Sequence, residues 1–91
     1  MLIPKVHPRE FEKFGFRRCK GSYGRNDCYY LCVARGCEMI FVSPVMFAIN
    51  PWKDDDPRIH SRANCKYSDS KTALDILYLL IKEDMLQYEP G

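Results

Sequence analysis

The chain has 91 residues, 46% of them apolar and 29% charged, with a formal net charge of +2. That balance fits one small folded domain over residues 1–91 and excludes a disordered or fibrous chain. No window approaches the roughly 18 apolar residues of a membrane-spanning helix, so no membrane association is expected. The opening residues lack a secretory-leader pattern, so the expected location is cytoplasmic.

The first element, "HPREFEKFGF", reads as a short helix. Pro8 suits the first helical position, Glu10 and Glu12 suit the positive end, and Gly15 suits a left-handed stop. Phe11 and Phe14 share a face. Phe16 to Lys20 then reads as a strand, and "GSYGRND" as a polar loop.

"CYYLCVARGCEMIFV", residues 28 to 42, reads as a β-hairpin turning at Arg35-Gly36. A two-residue turn pairs Ala34 with Cys37, Cys32 with Met39, Leu31 with Ile40 and Tyr30 with Phe41. One face then carries Cys28, Tyr30, Cys32, Cys37, Met39 and Phe41. The other carries Tyr29, Leu31, Val33, Ile40 and Val42. Both faces are apolar, so each must be covered. Ser43-Pro44 interrupts the second strand, and Val45 to Ile49 forms a further one that ends at Asn50-Pro51. Residues 51 to 70 read mostly as loop, with a short edge strand at Arg58 to Ser61.

"SDSKTALDILYLLIKEDML" reads as a long helix reaching Leu86, with cap candidates Ser68, Asp69 and Ser70. Leu74, Leu77, Ile81 and Met85 form its apolar stripe, widened by Ala73, Ile76 and Leu80. The expected fold is therefore α+β: a three- to four-stranded antiparallel sheet, a short N-terminal helix, and a long C-terminal helix packed on one face. The β-branched and Leu face should meet the long helix, and the Cys/Met/aromatic face the short one.

Five cysteines without a leader are expected to be reduced thiols, and the odd number argues against a disulfide scaffold. Zinc sites are recognised by paired short spacings, which Cys28-x3-Cys32-x4-Cys37 and His60-x4-Cys65 do not provide. On one strand Cys28 and Cys32 would stand about 13 Å apart, too far for one ion. Small buried hydrophobes are the preferred reading, and a metal held by Cys28, Cys32, Cys37, His60 or Cys65 stays open. A cysteine nucleophile needs a base, and nothing brings His7 or His60 to a thiol. Asp54 to Asp56 read as a solvated turn rather than a magnesium site. No enzyme activity and no cofactor are expected.

Charge is unevenly spread. Residues 1 to 36 hold eight Lys/Arg against three acids, and residues 37 to 91 six against nine. Arg17, Arg18, Lys20 and Arg25 interleave with Tyr23, Tyr29 and Tyr30, a composition able to hold phosphates and stack bases.

The segments "PREFEKFGFRRCKGSYGRNDCYYLCVARGC", "DPRIHSRANCKYSD" and "LDILYLLIKEDML" resemble short uncharacterised accessory proteins of phages and prophages of anaerobic gut Firmicutes. Such proteins are similar in build to anti-defence inhibitors, anti-CRISPR proteins among them. The resemblance implies a bacterial host cell, no enzyme activity, and a surface that occludes a host nuclease. This chain departs from the acidic DNA-mimic kind, being mildly basic. The expectation is a phage-derived, non-enzymatic protein that engages a host protein such as a CRISPR effector nuclease. Its expected contacts are Arg17, Arg18, Lys20, Tyr23, Arg25, Tyr29, Tyr30 and Trp52. The alternative is a nucleic-acid-binding accessory protein using the basic half. Self-association through an uncovered sheet face or edge predicts a homodimer.

Overall fold

The computed structural model of the chain describes residues 1–33, 38–51, 53, 55–60 and 71–90. Its centre is an antiparallel sheet in the order β2-β3-β4-β5, built from Arg17–Arg18, Tyr29–Val33, Glu38–Ser43 and Met46–Pro51. The expected hairpin register is present: Cys32 pairs with Met39, Leu31 with Ile40 and Tyr30 with Phe41. Its turn, with the expected pairing of Ala34 and Cys37, lies outside the described residues. Pro44 and Val45 form a second two-residue turn, closed where Ser43 pairs with Met46. Proline therefore sits between two strands, where its missing N–H costs no ladder bond.

Side chains alternate across the pleat, and both faces are covered. Tyr29, Leu31, Val33, Ile40 and Val42 pack with Ala73, Ile76 and Leu80 of a C-terminal helix and with Phe11 and Phe16. Tyr30, Cys32, Met39 and Phe41 pack with Cys19, Cys28 and Ile59. The long helix thus covers the expected face. The N-terminal helix covers that same face and not the Cys/Met/aromatic one. It is a 3-10 turn, Pro8–Phe14, capped by the His7 side chain and stopped by Gly15 at φ 96°. That stop turns the chain so that Phe11 and Phe16 meet edge to face at 5.3 Å. The other face is closed by the segment 56–60 and by α1, a single turn over Ser22–Arg25. "GSYGRND" is therefore partly helical, and Arg58 to His60 form a bend rather than a strand.

The C-terminal helix, α2, spans Ala73–Lys82. Thr72 caps it through a reciprocal pair: its hydroxyl accepts from Asp75 N–H, and the Asp75 carboxylate accepts from Thr72 N–H. The expected caps at Ser68, Asp69 and Ser70 lie outside the described residues. The helix stops before Leu86 because Asp84 turns left-handed at φ 60°. Asp84 N–H then donates to Ile81 O and Met85 N–H to Leu80 O, which satisfies the last carbonyls. Leu86–Tyr88 leaves as β6 and pairs antiparallel with β1, Leu2–Pro4, a two-stranded ribbon that sequence analysis did not anticipate.

The helix also presents a different stripe from the expected one. Ala73, Ile76 and Leu80 are buried, whereas Leu74 and Ile81 are exposed. Eight of the ten residues in ALDILYLLIK are apolar, so two stripes satisfy the helical period and periodicity alone does not choose between them. No helix of the described residues is long and apolar enough to cross a membrane.

Candidate functional site

Strand β2 is the outer strand on one side of the sheet, and its two arginines have opposite fates. Arg18 pairs with Tyr29, and its guanidinium lies 5.3 Å from that ring centre. It donates to Gly24 O at 2.7 Å and stands 3.7 Å from the Asp27 carboxylate. It is a clamp that fastens α1 to the sheet. Arg17 pairs with Tyr30 and is exposed on the opposite side.

Lys20 and Arg25 are exposed as well. Lys20 is held by its backbone, which donates to Arg58 O at 2.9 Å. Arg25 closes α1. None of Arg17, Lys20 or Arg25 forms an ion pair with a carboxylate of the described residues. Tyr23 is 39% exposed and sets its ring edge to face on Phe41 at 6.5 Å. Within residues 17–25, β2, α1 and the loop between them thus carry three exposed cations and one half-exposed aromatic, a cationic rim along this stretch of chain.

The other expected contacts are placed differently. Tyr29 and Tyr30 are 1% and 0% exposed, interior residues of the central strand that present no surface to a partner. Their aromatic rings fill the two cores instead. Trp52 lies outside the described residues. Sequence analysis weighed His60 as a metal ligand or a base and did not foresee its contact with Tyr30: its Nδ1 lies 3.1 Å from the Tyr30 hydroxyl while its backbone N–H donates to the same oxygen at 3.3 Å. Only its place in a loop near Arg58 could have marked it, and no periodicity reaches that loop.

Burial, followed by the Arg17 and Lys20 charges, holds the His60 imidazole below its ordinary 6.5. A depressed native value means that His60 contributes stability above about pH 6.5, which is lost as pH falls through the native value. An NMR pH titration should find His60 titrating below 6.5, and Arg17→Gln with Lys20→Gln should move it upward. A midpoint at or above 6.5 in the wild type would remove these two cations from its surroundings.

The thiols beside this rim are buried. Burial, with the Cys28 thiol beside it, pushes the Cys19 thiol up to about 12, and burial raises Cys28 too. Both are therefore protonated at neutral pH, whereas a nucleophile must be a thiolate. Among the described residues no three His, Cys, Asp or Glu side chains converge on one point. Cys37 and Cys65 lie outside the described residues. His7 uses Nδ1 to accept from Arg9 N–H and places Nε2 3.5 Å from Asp27, so both ring nitrogens are engaged. A shallow groove of about 370 Å³ lined by Pro51, Lys53, Asp55, Asp56 and Pro57 brings both signs of charge together.

No family model matches the chain, and neither a curated protein nor a solved structure matches it.

Proposed function

We propose that the protein is a non-enzymatic binding protein whose cationic rim (Arg17, Lys20, Arg25 and Tyr23) engages an acidic face of a partner protein. The observation that carries this reading is the division of the basic and aromatic residues. Three cations stay exposed without carboxylate partners among the described residues, while Tyr29 and Tyr30 are withdrawn into the cores. Single-strand binding relies on successive exposed aromatics for base stacking, and this rim offers one half-exposed ring. A protein interface needs only one such anchor, with charge complementarity setting approach and register.

The resemblance to phage accessory proteins supports the choice of partner: a host protein of the bacterial cytoplasm, with an anti-defence role against a nuclease effector. Nucleic-acid binding is the runner-up, resting on the same three cations. Salt alone does not separate the two, because both contacts are ionic. Nuclease digestion does.

The test is affinity capture of tagged wild type and an Arg17→Glu/Lys20→Glu/Arg25→Glu variant from bacterial lysate, with and without nuclease treatment. A stoichiometric protein that survives digestion and is lost by about 100-fold or more in affinity on charge reversal is the expected result. Recovery that vanishes on digestion assigns the rim to phosphate. Equal capture by both variants would sink the rim as the site.

A further inference from the structure

The outer face of α2 carries a second apolar stripe that the described residues leave uncovered. Leu74, Tyr78 and Ile81 are 72%, 70% and 52% exposed, at the i, i+4, i+7 spacing of one helix face. A helix apolar on both sides is normally buried on both. From this face we infer that the protein associates with a second copy of itself through α2, the two helices running antiparallel about a two-fold axis near Tyr78.

The charges of the helix choose that occupant. Asp75 and Lys82 are the only two charged residues within Ala73–Lys82. At 100° per residue they fall on the same flank of the stripe, toward opposite ends of the helix. A two-fold axis across the helix keeps each flank on its own side and reverses direction along it. It therefore brings Asp75 beside Lys82 of the second copy, twice, and sets Leu74 against Ile81 of the second copy. A parallel pair would put the charged flank of each copy against the uncharged flank of the other. The stripe is thus self-complementary in one orientation only. Asp75 uses Oδ2 for the Thr72 cap, so its role at the helix start does not compete with an outward contact through Oδ1.

Size sets the strength. Three partly exposed side chains of this kind bring roughly 100 Å² each to the contact, so the whole interface falls below the usual range for a stable complex. The dimer is accordingly weak and concentration-dependent. It uses the helix layer, whereas the cationic rim lies toward the 56–60 segment on the other side of the sheet, so the two surfaces can be occupied together.

The experiment is sedimentation equilibrium in reducing buffer, over protein concentrations from about 10 to 300 µM, the range where a micromolar association is populated. The wild type should move from 10.7 kDa toward twice that mass as concentration rises. Tyr78→Glu and Ile81→Lys should each remain at the monomer mass, with unchanged circular dichroism because both side chains are exposed in the monomer. Lys82→Glu should weaken association about tenfold, since each attractive surface pair becomes repulsive. Added salt should weaken the wild-type dimer and strengthen the Lys82→Glu dimer. A wild type that stays monomeric throughout overturns the proposal. So does a dimer indifferent to Tyr78→Glu and Ile81→Lys.

Discussion

Gly24→Ala is expected to lower the unfolding free energy by about 3 kcal/mol, and Gly21→Ala by about 2 kcal/mol. Helix propensity argues the reverse sign at position 24, because alanine is favoured over glycine within a helix by about 1 kcal/mol. Packing decides. A Cβ on Gly24 would overlap the Cys19 carbonyl oxygen and press on the Arg18 side chain at 3.2 Å. The carbonyl is backbone, in the peptide whose Lys20 N–H donates to Arg58 O at 2.9 Å, so it cannot swing aside as a flexible side chain would. Relief requires α1 to lift away, which breaks the Arg18 bond to Gly24 O. Gly21 has the positive φ of 66°, yet a Cβ there meets nothing within 4 Å. Its cost is the backbone alone, since φ 66° with ψ −140° is a region L side chains hardly enter. Urea unfolding of the two variants reads the difference, and a Gly24→Ala protein as stable as wild type would show that α1 is not seated against β2.

That contrast also shows which parts of the fold are local. The β3–β4 register was legible because alternation and a central Gly constrain a hairpin within fifteen residues, and the two apolar faces required two covers. The identity of the covers was not legible. Phe11 reaches the helix-bearing face because Gly15 redirects the chain, and nothing in the spacing of Phe11 and Phe14 reports that direction. The β1–β6 ribbon joins residues more than eighty positions apart in strands of three, too short for an alternating pattern to register. The end of α2 was missed because Lys82, Glu83 and Asp84 all have acceptable helix propensity, and aspartate marks a left-handed turn less plainly than glycine does. For the surface, composition identified the cations of the rim but could not separate exposed aromatics from core ones. Tyr29 and Tyr30 sit in the central strand, where large rings supply the packing of both layers.

Asp56→Ala is expected to cost about 2–3 kcal/mol, more than any other single truncation in the segment that closes the Cys/Met/aromatic face. The Asp56 carboxylate accepts from Arg58 Nε at 3.0 Å, Arg58 Nη2 at 2.7 Å and Arg58 backbone N–H at 2.9 Å. The side chains are 10% and 21% exposed, so "KDDDPR" holds a part-buried ion pair and is not wholly a solvated turn. Arg58 also reaches Asn50 Oδ1 at 3.3 Å and lies 5.2 Å from the Phe41 ring centre, which brings Ile59 down onto the sheet. Removing the carboxylate leaves a guanidinium largely out of water with Asn50 as its remaining acceptor in this group. Arg58→Met removes the charge and keeps apolar cover on Phe41, so the double variant should lose less than the two single losses added, with a coupling of about 2 kcal/mol. The same pair fixes the acid response. Hydrogen bonding from Arg58 holds the Asp56 carboxyl below its ordinary 3.8. The unfolded chain therefore binds this proton first as pH falls, and the contribution of Asp56 is full above about pH 4 and lost as pH passes through the depressed native value. Unfolding curves of wild type and Asp56→Ala should converge as pH drops below 3.8. A gap that stays constant down to pH 2, well below that value, would mean that the carboxylate is not the group Arg58 depends on.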